Sequence, residues 1–83
     1  MATVRKTKKT MDVVAGALAL AKEVRKFPDT KLWVDYDSEA DVLYISFTRP
    51  QQATDTIDDD GVLLRYRNKE LVGITVLDAS RHN

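Results

Sequence analysis

The sequence predicts an α+β fold in which one N-terminal helix packs on a four-stranded antiparallel β-meander. Apolar residues recur with a helical period in residues 10–27, whereas from residue 32 onward they alternate with a period of two. The gaps between the later apolar runs are mostly of hairpin length, which favours antiparallel neighbours. A chain of 83 residues is expected to form one domain with a thin stability margin.

Residues 1–9 carry four cationic side chains and no apolar periodicity, which predicts a flexible basic arm. Clustered cations can bind phosphates, so this arm is a candidate nucleic-acid contact through Arg5, Lys6, Lys8 and Lys9. An arm that is only solvated, or that docks on an acidic partner, would have the same composition.

Residues 10–27 have the pattern of a helix that Thr10 caps and Pro28 ends. Asp12 is expected in the first turn, where the helix dipole favours an anion. A broad apolar stripe follows the helical period along Val13, Val14, Ala17, Leu18, Leu20, Ala21 and Val24. The stripe is wider than one packed face requires.

Four runs rich in β-branched and aromatic residues predict strands at residues 32–36, 42–47, 62–67 and 71–77, with a short fifth strand considered within 53–57. The sheet is expected to span residues 32–80 and to form one domain with the helix. Alternation places Val34, Ile45, Leu64 and Ile74 on the face that the helix covers.

The opposite sheet face and the edge of the helix stripe offer apolar side chains for association. We expect a homodimer whose interface draws on Val14, Leu18, Trp33, Tyr44 and Leu63. Residues 1–31 hold eight basic and three acidic residues, a net charge of +5, while residues 32–83 hold five basic and ten acidic residues, a net charge of −5. Opposite charges of this size favour the approach of a second copy.

The segment DYDSEAD at residues 35–41 places a carboxylate at every second position. An EF-hand calcium loop needs glycine at its sixth position and glutamate at its twelfth, and neither Asp35 nor Asp37 starts such a register. The segment is therefore interpreted as a polar turn between strands, with weak binding of a divalent ion as the alternative. The segment DDDG at residues 58–61 predicts a second turn or bulge at Gly61.

The sequence indicates no catalytic residue, metal site or cofactor. His82 and Ser80 lie in the C-terminal tail, where we expect them to be too loose to act together. The longest apolar stretch is too short to cross a bilayer, and the absence of cysteine fits a reducing compartment, so a cytoplasmic protein is expected.

The strings DYDSEADVLYISF and DDGVLLRYRNKELVGITVLDAS resemble the small bacterial and archaeal family catalogued as domain of unknown function 2283. Its members read tyrosine-aspartate, a turn, alanine-aspartate and a leucine-tyrosine-isoleucine strand, and they close with a strand that runs into alanine-serine. The resemblance covers about residues 32–80. The matching positions are Tyr36, Asp37, Ala40, Asp41, Leu43, Tyr44, Ile45, Gly73, Ile74, Val76, Leu77, Ala79 and Ser80, while Thr75 stands where the family usually has glutamate.

The resemblance implies a compact antiparallel sheet and no established enzymatic role. Some members look like the smaller partners of toxin-like proteins in two-gene operons, which implies a binding role that is antitoxin-like. We therefore expect a non-enzymatic protein-association domain, and the alternative is a nucleic-acid-associated protein that uses the basic arm.

Overall fold

A computed structural model describes residues 7–82 of the chain. The chain divides between Thr30 and Lys31 into two compact units. The first unit carries the helix α1, and the second carries the antiparallel sheet. That the helix packs on the sheet, and that the two form one domain, stay predictions.

Helix α1 spans Lys8–Val24, so it begins and ends earlier than the predicted range of 10–27. The N-cap is Thr7 and not Thr10: its backbone is extended, and its hydroxyl accepts a hydrogen bond from the Thr10 N–H at 3.1 Å. Asp12 consequently lies beyond the first turn, which contains no acidic residue. Among the described residues no helix is both long enough and apolar enough for a membrane crossing.

The C-terminal end of α1 closes through tighter backbone hydrogen bonds. The Lys26 N–H donates to the Glu23 carbonyl at 3.0 Å, and the Phe27 N–H donates to the Val24 carbonyl at 3.1 Å. Bonds over three residues satisfy carbonyls that the end of a helix leaves without partners. The chain therefore leaves the helix before Pro28, whose ring cannot continue it.

Five strands form one antiparallel sheet, and this corrects the prediction of four. They are β1 (Trp33–Asp37), β2 (Val42–Ser46), β3 (Asp55–Asp59), β4 (Val62–Arg67) and β5 (Glu70–Val76). Strand β3 overlaps the short segment that was only considered as a strand. A 3₁₀ helix at Ala79–Arg81 follows β5.

The strand order β1-β2-β5-β4-β3 also corrects the predicted meander, in which β2 would pair with the strand at 62–67. Strand β2 pairs instead with β5, and β3 lies at an edge. Apolar residues dominate β2 and β5, so these strands suit central positions with a neighbour on each side. The sequence DTIDD of β3 is largely acidic, and charged residues are tolerated best at a solvated edge.

Cross-strand pairing places one residue from each strand in a continuous apolar row. The apolar row consists of Val34, Ile45, Ile74, Leu64 and Ile57. Because side chains alternate between faces, all five lie on the same side of the sheet, and the alternation in the sequence predicts this for all of them except Ile57. The most buried apolar residues of the described chain are Ile45, Phe47 and Val72.

The opposite face carries a second line of paired residues, which we call the polar row. It consists of Trp33, Ser46, Gly73, Arg65 and Thr56. The side chain of Gln51 lies over Gly73, and its Nε2 donates to the Ser46 hydroxyl at 2.9 Å. A Cβ atom added at Gly73 would collide with Gln51 and would lie 3.0 Å from the Ile45 carbonyl oxygen. Glycine is therefore needed here for close approach.

We expect Gly73→Ala to destabilise the protein by about 1–3 kcal/mol, the usual cost of overpacking. Chemical denaturation followed by the fluorescence of Trp33 measures the change. Part of the loss should return in the double variant Gly73→Ala with Gln51→Gly, because the side-chain collision is then removed while the Ile45 carbonyl contact remains. Equal stability of Gly73→Ala and the natural protein would contradict this packing.

Candidate functional site

The acidic segment at residues 35–41 forms the predicted turn, with residues 38–41 joining β1 to β2. Asp37 Oδ1 accepts hydrogen bonds from the backbone N–H groups of Glu39 at 3.0 Å and Ala40 at 3.1 Å. Aspartate is favoured in turns because its short side chain reaches backbone donors in this way. Asp37 therefore stabilises the hairpin connection.

Asp41 joins this hairpin to the segment that follows β5. Its carboxylate accepts hydrogen bonds from the Tyr36 hydroxyl at 2.7 Å and from the Ser80 hydroxyl at 2.8 Å. The Ser80 N–H donates to the same carboxylate at 3.0 Å, and the Ala79 N–H donates to the Asp41 carbonyl at 2.9 Å. We call Tyr36, Asp41 and Ser80 the Asp41 cluster.

The backbone conformation and the low exposure of Asp41 are consistent with its place between the hairpin and the segment after β5. Its φ of 55° lies in the left-handed region, which aspartate adopts more readily than most residues. Only 13% of its side chain is exposed, whereas the nearby Arg81, whose Nε lies 4.0 Å from the carboxylate, is 76% exposed. The Asp41 carboxylate is thus held mainly by hydrogen bonds, and Arg81 adds a solvent-screened charge.

The hydrogen bonds of the Asp41 cluster shift the pKa values of two of its members in opposite directions. The pKa of Asp41 lies below its ordinary value, because Tyr36 and Ser80 donate to the charged carboxylate and Arg81 adds a favourable charge, which together outweigh partial burial. The pKa of Tyr36 is raised, chiefly because its hydroxyl proton is engaged by Asp41, with smaller contributions from burial and from the negative charges of Asp41 and Asp37.

The structure corrects the expectation that the C-terminal residues are loose. Ser80 belongs to the 3₁₀ helix and is bound to Asp41, while His82 Nε2 lies 2.6 Å from the Leu77 carbonyl oxygen. A carbonyl only accepts, so Nε2 of His82 carries a proton and donates it. Both side chains are therefore used for fixing the C-terminal segment.

The segment DDDG forms the turn between β3 and β4, as predicted. Asp60 and Gly61 both have positive φ, at 51° and 86°, which is the backbone of a two-residue hairpin turn. Asp58 Oδ1 accepts a hydrogen bond from the Gly61 N–H at 3.0 Å. Between residues 7 and 82, no three histidine, aspartate or glutamate side chains come together in a way that could hold a metal ion.

The five predicted interface residues lie on both units. On α1, Val14 is 47% exposed and Leu18 is 62% exposed. On the sheet, Tyr44 and Leu63 lie in one cross-strand line with Thr75 between them, and Tyr44 is 44% exposed. Trp33 lies in the neighbouring polar row, so polar residues interrupt the apolar patch predicted for this face.

The cations predicted to contact nucleic acid are divided by the start of the helix. Lys8 and Lys9 are the first two residues of α1 and are exposed, so they do not belong to an arm. Arg5 and Lys6 lie outside the described residues.

A shallow groove of about 480 Å³ lies beside the edge strand β3. Its lining residues are apolar, aromatic, polar and charged: Ile57, Tyr66, Thr56, Asn68, Asp55 and Lys69. No local pattern in the sequence indicates this groove, because the groove depends on the placement of β3 at the edge of the sheet. Ile57 is 54% exposed there.

Sequence reasoning also missed the Asp41 cluster and the environment of Arg65. The sequence contains a signal for the Asp41 cluster, since Asp41 and Ser80 both belong to the family pattern. Asp41 directly precedes β2, and Ser80 follows β5. No local sequence pattern could reveal the environment of Arg65. The Nε atom of Arg65 is buried without a hydrogen-bond acceptor, and this depends on which strands become its neighbours.

The shifted pKa values predict how stability depends on pH. Because the pKa of Asp41 is lower in the folded state, its contribution is present above the ordinary value of 3.8 and is lost as pH falls through the folded value. Because the pKa of Tyr36 is raised, its contribution is present below 10.0 and is lost as pH rises through its folded value.

Melting temperatures measured by circular dichroism between pH 2.5 and pH 7 test the acidic limb. Asp41→Asn keeps a residue that tolerates positive φ but removes the titrating charge, so its acid-induced decrease should be smaller by several degrees. Asp35→Asn, a change at an exposed acid of the same hairpin, should leave the decrease unchanged. If the melting temperatures of Asp41→Asn and of the natural protein decreased equally at acidic pH, the Asp41 cluster would not stabilise the fold.

Comparisons with known proteins give a family and no activity. A family model described as Protein of unknown function (DUF2283) matches residues 33–80, which is more than half of the chain. Searches of curated proteins and of solved structures each found no significant match. The matched segment runs from the first residue of β1 to the serine of the Asp41 cluster, so it covers the whole sheet and the contact that closes it. The chain belongs to the family of proteins of unknown function DUF2283.

Proposed function

We propose that the protein is a non-enzymatic association domain that forms a homodimer. The observation that carries this proposal is that each unit, taken by itself, has large exposed apolar side chains. On α1, Val13 and Leu18 are 65% and 62% exposed; on the sheet, Val34 and Ile57 at the two ends of the apolar row are 50% and 54% exposed. Contiguous exposed apolar surface is typical of sites that bind another protein.

A second copy is the partner that the charges favour. The net charge is +5 for residues 1–31 and −5 for residues 32–83, so the two parts of the chain attract their counterparts in a neighbouring molecule. A two-fold axis would form the same contact twice. A domain of this size also gains proportionally more from association than a large one, because it hides less of its surface internally.

The placement of the reactive side chains supports a non-enzymatic role. Ser80 donates its hydroxyl proton to Asp41, and His82 donates from Nε2 to the Leu77 carbonyl. Activation of a serine as a nucleophile requires a base that takes its proton and a third group that orients the base. The Asp41 cluster instead holds a serine and a tyrosine on an ionised carboxylate, which stabilises structure.

Light scattering at micromolar concentration should give twice the monomer mass. Added salt should weaken the dimer, because it screens the attraction between residues 1–31 of one copy and residues 32–83 of the other. A single species of monomer mass, unchanged over a tenfold concentration range, would remove the homodimer.

Two matched pairs of variants locate the interface. Ile57→Asn should weaken the dimer if the apolar row is buried in it, while Thr56→Asn, on the other face of the same strand, should not. Leu18→Gln should weaken it if the helix stripe takes part, with Ala19→Gln as the control on a neighbouring helix position. Each effective change is expected to raise the dissociation constant by about tenfold to a hundredfold, since burying one such side chain stabilises by about 1.5–3 kcal/mol. Unchanged dimers in both test variants would show that neither surface forms the interface.

A different protein could occupy the same surface, and the family resemblance favours the toxin-like product of a neighbouring gene. An antitoxin-like role predicts that the two products purify together and that the protein suppresses the growth defect caused by its partner. Failure to bind the product of either adjacent gene would leave the homodimer as the biological form. A cytoplasmic location belongs to the same proposal.

Nucleic-acid association is the second candidate function, and the exposed Lys8 and Lys9 at the start of α1 support it. Cations near a helix N-terminus combine with its dipole to attract phosphate. Binding should then decrease steeply with salt and should be lost in a variant with Arg5, Lys6, Lys8 and Lys9 changed to Gln. Binding of a nucleic acid with the same affinity by that variant would contradict the role of these cations.

A further inference from the structure

Arg65 lies in β4, the strand next to the edge strand β3, and its Nε–H has no acceptor among the described residues. It belongs to β4 and is paired with Thr56 on one side and with Gly73 on the other. Its Nε atom is buried and has no hydrogen-bond partner among the described residues. A buried donor without a partner is costly, and the cost is greatest when the donor belongs to a charged group.

The acidic side chain nearest along this face is used elsewhere. Asp58 lies on β3 two residues from Thr56, on the same face and diagonal to Arg65. Its Oδ1 accepts the Gly61 N–H at 3.0 Å, and it forms no ion pair with Arg65 within the described part of the chain. The Nε–H of Arg65 therefore has no acceptor among the described residues, and an anion from outside them could supply one.

The polar row around Arg65 is suited to a small anion. Gly73, which pairs with Arg65, has no side chain, and the space over it is occupied by Gln51. Gln51 comes from the loop between β2 and β3 and is held on this row by its hydrogen bond to Ser46. The Gln51 amide can move aside at the cost of that hydrogen bond. Ser46 and Thr56 would then remain as hydroxyl donors on either side of the opened space.

We propose that Arg65 is the anchor of a carboxylate-binding site on the polar row, and that the carboxylate is an acidic side chain of a protein partner. A planar guanidinium binds a carboxylate through two parallel hydrogen bonds, one of them from Nε. Asp58 and Asp35, which lie in the next cross-strand line, disfavour a doubly charged phosphate more than a singly charged carboxylate. The identity of the partner as a protein rests on the proposed association function, whereas the carboxylate site does not.

The test is a titration of the full-length protein in which the Nε–H signal of Arg65 is followed by ¹H–¹⁵N NMR. The probes are a blocked glycine-glutamate-glycine peptide, the matched glutamine peptide, acetate and inorganic phosphate, all at constant ionic strength. The glutamate peptide and acetate should shift the signal saturably. The glutamate peptide should bind about tenfold or more tightly than the glutamine peptide, because a hydrogen bond to a charged group is the stronger one.

Variants separate this site from general charge attraction. Arg65→Lys keeps the charge but loses the planar fork, so the glutamate peptide should no longer bind saturably, as shifts of neighbouring backbone amides would show. Arg67→Lys on the exposed end of the same strand should bind the peptide as the natural protein does. Gln51→Ala should bind more tightly, since no amide has to be displaced.

Three results would overturn the proposal. They are shifts of the Arg65 signal that grow linearly without saturation, equal binding of the glutamate and glutamine peptides, and stronger binding of phosphate than of acetate. Because the probes are small molecules, each of these results is independent of the oligomeric state, which light scattering reports. A monomer that still binds the glutamate peptide would retain the carboxylate site and lose only the homodimer.

Discussion

The pairing of β2 with β5 is the contact on which the sheet depends. Strands β1 and β2 form one hairpin, while β3, β4 and β5 form a separate set of neighbours along the chain. Within residues 7–82, β2 with β5 is the strand pair that joins these two parts. The two strands are far apart in the sequence, so the chain entropy lost in closing the loop must be recovered by this contact. Both ends of the ladder are reinforced. At one end Asp41 binds Ser80, and at the other the Phe47 N–H donates to the Val72 carbonyl at 2.9 Å between two buried residues.

The local patterns of the sequence predicted the elements better than their arrangement. Periodicity identified the helix and the faces of the sheet, and turn residues such as Gly61 identified the hairpins, because each of these depends on a few neighbouring residues. The helix boundary was wrong because two threonines, Thr7 and Thr10, compete as caps and the sequence alone does not show which one has an extended backbone. Strand order was wrong because hairpin spacing describes neighbours in sequence, whereas β2 and β5 are brought together by the apolar surface that both must bury.

The same limit applies to the candidate sites. The turn-forming role of Asp37 follows from its own short side chain and could be predicted, while the role of Asp41 depends on Ser80, almost forty residues away. Alternation from Leu64 puts Arg65 on the face opposite the apolar row, yet its lack of an acceptor depends on the strands that pair with β4 in the folded sheet. The two faces of the sheet consequently offer different chemistry, with the apolar row on one side and the Arg65 Nε–H without an acceptor on the other.

The acidic composition of the edge strands limits how the sheet can associate with another copy. Strand β1 carries Asp35 and Asp37, and β3 carries Asp55, Asp58 and Asp59, all of them exposed. Two copies that approached edge to edge would bring these like charges together, and a strand ladder between molecules would be opposed by repulsion along its length. This repulsion would oppose growth of the sheet into a continuous fibre and would leave its faces as the surfaces on which an assembly of copies could close on itself.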